Sequence, residues 1–381
     1  MRPRTLPITV PPARHETVAS YLARLARLHG VDGDELWRQV SVPDPTPTRR
    51  KVDPQLLSAL TGRPPGHLAG ALLELRDPPP TWEAFRHNPQ IGCPRCDARH
   101  IRGPVFRIFP HHRYVCTRHR YWIGPPDINR PGPDLNDFPE IVAAQRRHLR
   151  LLRRYGWAAT YDAVLTGFMF CAHLWENAFN IALDPTDAPL GLVLKRAIWT
   201  MRTMVFIPPG TERETFTTAK LFAAVYPDAV NIAELIASPG YRALAAGDDD
   251  QLRLFCAAIG DRIGAPDYQP QTDLDPIGHW IAEDCWHDPS PPPTTFAAAP
   301  GHRRPSHLSK ATTKTARDRH DNSVLWFARK RSPGNVILHH RTIHPVLIRE
   351  WSIPMEQFAG AIYQSQRTSP RFWTPTPETA P

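Results

Sequence analysis

The chain has little cysteine for its length, six residues in 381. That excludes a disulfide-built scaffold and suits a reducing compartment. Long apolar runs are missing too. The nearest candidate, Val164 to Trp175, is interrupted by Thr166, Gly167 and His173, so no membrane association is expected. The start, MRPRTLPITV, has positive residues but no apolar core or small-residue cleavage site. No signal peptide is expected, and the expected location is cytoplasmic. Catalytic signatures are absent as well: no GxxxxGK[ST], GxSxG, HExxH or GxGxxG occurs. The expectation is that the protein is not an enzyme.

Proline and positive charge are abundant. Proline accounts for 44 of the 381 residues, about twice the usual share. It falls in bursts between periodic segments, as expected of compact pieces joined by stiff connectors. The net charge is +9 with a pI near 9.5. Between Arg95 and Arg120 there are seven Arg and one Asp, and from Gly301 to Arg331 nine Lys or Arg against two Asp. Such a balance favours polyanionic partners, because neutralising phosphates releases counterions.

The most specific pattern is Cys93-Pro94-Arg95-Cys96, answered by Cys116-Thr117-Arg118-His119 after 19 intervening residues. Ligands three positions apart can turn inward around one tight loop, and two such loops supply four. Three thiolates and an imidazole suit one closed, structural Zn2+ ion. Between the knuckles, Val105-Phe106-Arg107-Ile108-Phe109 alternates like a strand. Pro110-His111-His112 is a turn candidate, and Arg113-Tyr114-Val115 runs back, which predicts one β-hairpin carrying the second knuckle at its end. Arg107, Arg113, Arg118 and Arg120 flank the ligands as candidate nucleic-acid contacts, with Arg303, Arg304, Lys310 and Lys314 in the later basic tract.

Around this module the pattern is helical. Val18, Tyr21, Leu22, Leu25 and Leu28 form a stripe opened by Thr17 and closed by Gly30, with Arg24 and Arg27 expected on the opposite face. Short helices are expected over 34–40, 55–60 and 67–75, the last two joined by a Gly/Pro turn compatible with a helix-turn-helix or with an ordinary helical hairpin. A longer helix is expected from Pro139, lined by Ile141, Val142, Gln145, Leu149, Leu152 and Tyr155 and crowded by Arg146, Arg147, Arg150, Arg153 and Arg154. More are expected over 158–183, 190–206, 215–225, 230–237 and 250–263. The expected fold is mainly α: a helical, helix-turn-helix-compatible N-terminal unit (1–80), a zinc-ribbon-like β-hairpin module (81–135) and an all-helical C-terminal body (136–265). A Pro-rich acidic linker (266–300), a basic segment (301–366) and a disordered tail (367–381) are expected to follow.

Leu6-Pro7, then Glu16-Thr17-x2-Ser20-Tyr21-Leu22-x-Arg24-Leu25-Ala26, resembles the opening of TniQ-type transposition proteins. The order that follows is similar too: Leu60-Thr61-Gly62, Cys-Pro-x-Cys, an Arg/aromatic segment and Cys-x2-His. The resemblance covers about residues 5 to 155, and Arg118 to Gly124 looks like a variant of actinobacterial members. It implies that Cys93, Cys96, Cys116 and His119 are zinc ligands. It also implies a non-catalytic transposition accessory, bound to DNA or a targeting complex and linked to an AAA+ ATPase and a transposase. The second Cys pair that many members carry is absent between 120 and 170. The alternative is a sequence-specific transcriptional regulator reading DNA with the N-terminal helical unit.

Overall fold

The computed structural model describes residues 4–43, 50–81, 84–85, 89–124, 132–181, 189–206, 215–216, 218–270, 275–283 and 353–354. Arg303, Arg304, Lys310, Lys314 and the expected tail 367–381 lie outside the described residues, as does nearly all of the expected basic segment. The described residues are mainly helical and fall into two compact units.

The first unit runs to His111. Helix α1 (Val18–His29) starts where the Thr17 side chain accepts from Ser20 N and stops at Gly30. Asp32 caps α2 (Gly33–Val40) and Asp53 caps α3 (Pro54–Thr61), whose first residue is proline. Both carboxylates meet N–H groups that a helix start leaves unpaired. Helix α4 (Pro65–Ala71) and a 3-10 turn (Leu73–Leu75) follow. Strands β1 (Ser41–Pro43) and β2 (Arg50–Val52) make a small antiparallel pair between α2 and α3. The apolar stripe of α1 packs with Leu36, Val40, Leu57, Leu60, Leu68 and Leu72 into one core.

Arg24 departs from expectation. It is buried rather than on the solvent face, with 1% of its side chain exposed against 0% for Glu16. Its Nε and Nη2 donate to the two Glu16 carboxylate oxygens, both at 2.8 Å, and Ser20 Oγ donates to Glu16 Oε1 at 3.0 Å. Nη2 also reaches the Pro11 carbonyl at 3.2 Å. A bidentate pair supplemented by donation to the Pro11 and Ile101 carbonyls is the kind of arrangement in which a buried guanidinium is tolerated.

The second unit begins at His112. A long helical stretch, α6 (Pro139–Ile181), is broken at Gly156, whose φ of 79° and ψ of 173° only glycine adopts readily. Helices α7 (Leu190–Val205), α8 (Thr218–Ile236), α9 (Pro239–Ala245), α10 (Asp249–Ile263) and α11 (Pro276–Glu283) follow. The core gathers Phe168, Phe170, Trp199, Tyr226, Phe255 and Trp280. Two expected helices, 215–225 and 230–237, are one: α8 continues through Pro227. Tertiary partners hold it across the residue that lacks an N–H. Asp228 accepts from Lys195 Nζ at 2.5 Å and from Trp199 Nε1 at 2.8 Å, while Arg202 donates to the Ala224 carbonyl at 2.7 Å. Helix α9 has no counterpart among the expected helices. Helix α11 stands in the Pro-rich stretch read as a linker, and its Ile277 and Trp280 are fully buried.

Glu74, at the 3-10 turn, accepts from Val18 N at 2.9 Å, and among the described residues its Oε1 has no partner. Burial pushes its carboxyl up to about 8. An unfolded glutamate ionises near 4.3, so between that pH and 8 unfolding releases a proton and stability falls as pH rises. Glu74→Gln is expected to melt about 2–4 °C above the parent at pH 8, with the gap closing toward pH 5. A pH-independent gap in thermal melts of the full chain would refute this.

Candidate metal centre

Each knuckle sits in its own two-stranded ladder. The first lies between β3 (Gln90–Ile91) and β4 (Phe106–Arg107), which pair antiparallel. The second lies between β5 (Val115–Cys116) and β6 (Tyr121–Trp122), with Cys116 opposite Tyr121. The expected pairing of 105–109 with 113–115 does not occur. Alternation shows that a segment is extended, but the partner is chosen by where its hydrogen bonds are met.

For β4 that place is the entry to α1. Thr17 N donates to the Phe106 carbonyl at 2.9 Å, Ile108 N donates to the His15 carbonyl at 2.8 Å, and Phe106 N donates to Ser20 Oγ at 3.0 Å. The first knuckle then turns through α5 (Pro94–Asp97), a single helical turn. The Cys93 carbonyl accepts from Cys96 N and Asp97 N, both at 3.0 Å. Pro94 at the first helical position suits this turn, which sets Cys93 and Cys96 on one side. Asp97 forms a mostly buried ion pair with Arg107, locking the turn to β4. A Cβ at Gly92 would sit 3.1 Å from Asp97 Oδ2 and 3.2 Å from Arg107 Nε, so a larger residue there would press on the ion pair.

The second knuckle is held from α6. Gln145 is buried, and its Oε1 accepts from Tyr114 N at 2.7 Å and from Val115 N at 2.9 Å. Its Nε2 donates to the His112 carbonyl at 2.9 Å. One side chain thus meets three backbone groups at the start of β5. The Tyr114 ring packs 5.1 Å from Tyr226 and 5.2 Å from His148, centroid to centroid, and Trp122 packs 5.3 Å from Tyr226.

The ligand atoms of Cys93, Cys96, Cys116 and His119 all lie within 4.8 Å of one another, with Cys93 and Cys116 buried and the other two half-buried. Cys116 Sγ is 3.8 Å from His119 Nδ1. Zinc bonds of about 2.3 Å to sulfur and 2.0–2.1 Å to nitrogen require ligand separations of this size. The four residues could hold one metal ion, and the donor set suits zinc. The expected ligands are thus together.

The expected nucleic-acid contacts divide. Arg113, Arg118 and Arg120 are exposed around the second knuckle. Arg107 is buried, committed to Asp97 and to the Arg14 carbonyl at 3.1 Å. Sequence reasoning missed Glu16, Ser20 and Arg24 as an anchor, although polar residues recurring at i, i+4 and i+8 on an apolar helix carried the signal. Gln145 stood in an apolar line, and nothing local distinguished it.

Residues 7–122 match the TniQ family model. Comparisons with curated proteins and with solved structures give no match. The matched span contains both knuckles and the Glu16–Ser20–Arg24 anchor, and with it the chain carries a domain of the TniQ family, which implies a transposition-associated accessory protein.

Zinc analysis of the purified chain is expected to give one ion per molecule, lost in Cys116→Ser; a full zinc content in that variant would dismiss the site. Gln145→Leu leaves two N–H groups unpaired, at a cost of about 2–6 kcal/mol. It is expected to lower the melting temperature and to speed zinc release to a chelator, whereas parent-like release would show that the clamp does not support the site.

Proposed function

We propose that this TniQ-domain chain is a zinc-containing, DNA-associated adaptor of transposition. In this reading it is non-catalytic and cytoplasmic, and it contacts duplex DNA and an AAA+ ATPase that works with a transposase. The observation that carries the reading is the pairing of a closed Cys3His cluster with the exposed Arg113, Arg118 and Arg120 beside it. A site with four protein ligands offers no open position for an activated water, so its role is to hold the two knuckles in shape. The arginines give the nearby surface a charge that phosphates neutralise. The basic tract with Arg303, Arg304, Lys310 and Lys314 adds to the same character. Among the described residues no helix is long and apolar enough to cross a membrane, which is compatible with a cytoplasmic protein.

The second reading, an operator-specific regulator, rests on α3 and α4, two short helices joined by the turn Gly62–Pro64. Helix α4 has the sequence Pro-Gly-His-Leu-Ala-Gly-Ala. Only His67 there could hydrogen-bond a base edge, whereas specific readout draws on Arg, Asn or Gln. A phosphate-contacting adaptor is therefore favoured over a base-reading one.

Fluorescence anisotropy with a roughly 30-bp duplex of arbitrary sequence tests this, titrated from about 50 to 200 mM salt, the range over which phosphate contacts lose strength. Binding is expected at the low end. Replacing Arg113, Arg118 and Arg120 by Gln is expected to weaken it equally on unrelated duplexes and to flatten the log–log salt slope by about 2–3. No binding at the lowest salt would remove DNA from the proposal, and a footprint confined to one short palindrome would favour the regulator.

A further inference from the structure

The first segment of α6, from Pro139 to the break at Gly156, carries Arg146, Arg147, Arg150, Arg153 and Arg154. Arg146, Arg150, Arg153 and Arg154 are exposed. Positions 146, 150, 153 and 154 stand at i, i+4, i+7 and i+8, so the four share one face. No Asp or Glu occurs from residue 141 to 161. Glu140, just before, pairs with Arg202 at 3.0 Å. Among the described residues no carboxylate pairs with any of the four. Arg153 Nε donates to the Leu149 carbonyl at 3.2 Å, and the Arg154 guanidinium lies 5.1 Å from the Tyr155 ring centroid. Both contacts lay a guanidinium along the helix without neutralising it.

Such a face needs a reason. Like charges at i, i+4, as in Arg146/Arg150 and Arg150/Arg154, destabilise a helix. Arg153 and Arg154 fall in the last turn before Gly156, where the helix dipole favours cations. The dipole fades within one turn and so does not account for Arg146 and Arg150. Arg146 follows Gln145, the residue that clamps the backbone of Tyr114 beside Arg113. The helix therefore carries its charge at the root of the hairpin that bears Arg118 and Arg120.

We propose that this face of α6 is a phosphate-contacting surface for the backbone of duplex DNA, extending the hairpin contact onto the helical body. The proposal rests on the DNA-binding reading above and deepens it. Residues 146 to 154 span about 12 Å of helix axis, over which one strand of B-DNA presents about three or four phosphates. The contact requires no particular base, so it positions the protein without specifying sequence.

Arg146→Gln/Arg150→Gln in the full chain is the variant that separates the roles. It removes repulsion and lies away from the last turn, so its melting temperature should be no lower than the parent's and its zinc content should match. Its duplex affinity at about 100 mM salt is expected to fall roughly tenfold, with the log–log salt slope reduced by about 2. Arg153→Gln/Arg154→Gln should lower both affinity and melting temperature. Parent-like affinity and slope in the 146/150 variant, while the Arg113/Arg118/Arg120 variant is weakened, would overturn this inference and leave the hairpin contact standing. A loss seen with a hairpin RNA but not with the DNA duplex would overturn it in favour of RNA. A parent protein that binds no duplex at about 50 mM salt would take both readings down together.

Discussion

The metal ligands sit in turns held between strands only two residues long, with Cys116 alone on a strand, and such strands cannot satisfy the backbone of the loops they carry. The missing partners come from buried polar side chains on helices. In the first unit, Ser20 Oγ accepts from Phe106 N and donates to Glu16, which binds Arg24. In the second, Gln145 meets the amides of Tyr114 and Val115 and the carbonyl of His112. Leaving a buried amide unpaired costs about 1–3 kcal/mol. These few side chains thus decide whether a knuckle has a defined shape before any ion arrives.

That dependence explains what could be read in the sequence. The ligand set was legible because a knuckle is local: three positions, one turn, a proline where a turn begins. The helix starts at Thr17, Asp53 and the Pro54 position were legible for the same reason. Strand pairing was not, since Phe106-Arg107 and Val115-Cys116 look equally extended and their partners lie in other segments. Arg24 was misplaced because charge alone suggests solvent, and its burial depends on a carboxylate eight residues earlier. Separate helices were expected over 215–225 and 230–237, and only the contacts of Asp228 and Arg202 show why one helix runs through Pro227.

The residues that carry the family resemblance are therefore a guide to folding before they are a guide to function. Glu16, Ser20 and Arg24 are buried and satisfied by each other and by neighbouring backbone. They touch no open surface. The four ligands are likewise directed at each other. What remains for a partner is the arginine-rich exterior, where Arg118, Arg120, Arg146 and Arg150 spend their charge on no carboxylate among the described residues. A module built this way can keep its interior fixed while its exterior is altered.

The TniQ match ends at Trp122, but the physical support for that residue does not. The rings of Tyr114 and Trp122 pack on Tyr226 of α8, and Tyr114 also meets Phe168 of α6. The amides of β5 close on Gln145. A chain cut after the matched span would expose two large aromatics and leave those amides without their acceptor. Burying an aromatic contributes about 1.5–3 kcal/mol, so the loss would be of the order of a small domain's whole stability. The family module and the folding unit are different objects here. The second knuckle belongs to the first by sequence and to the second by its contacts.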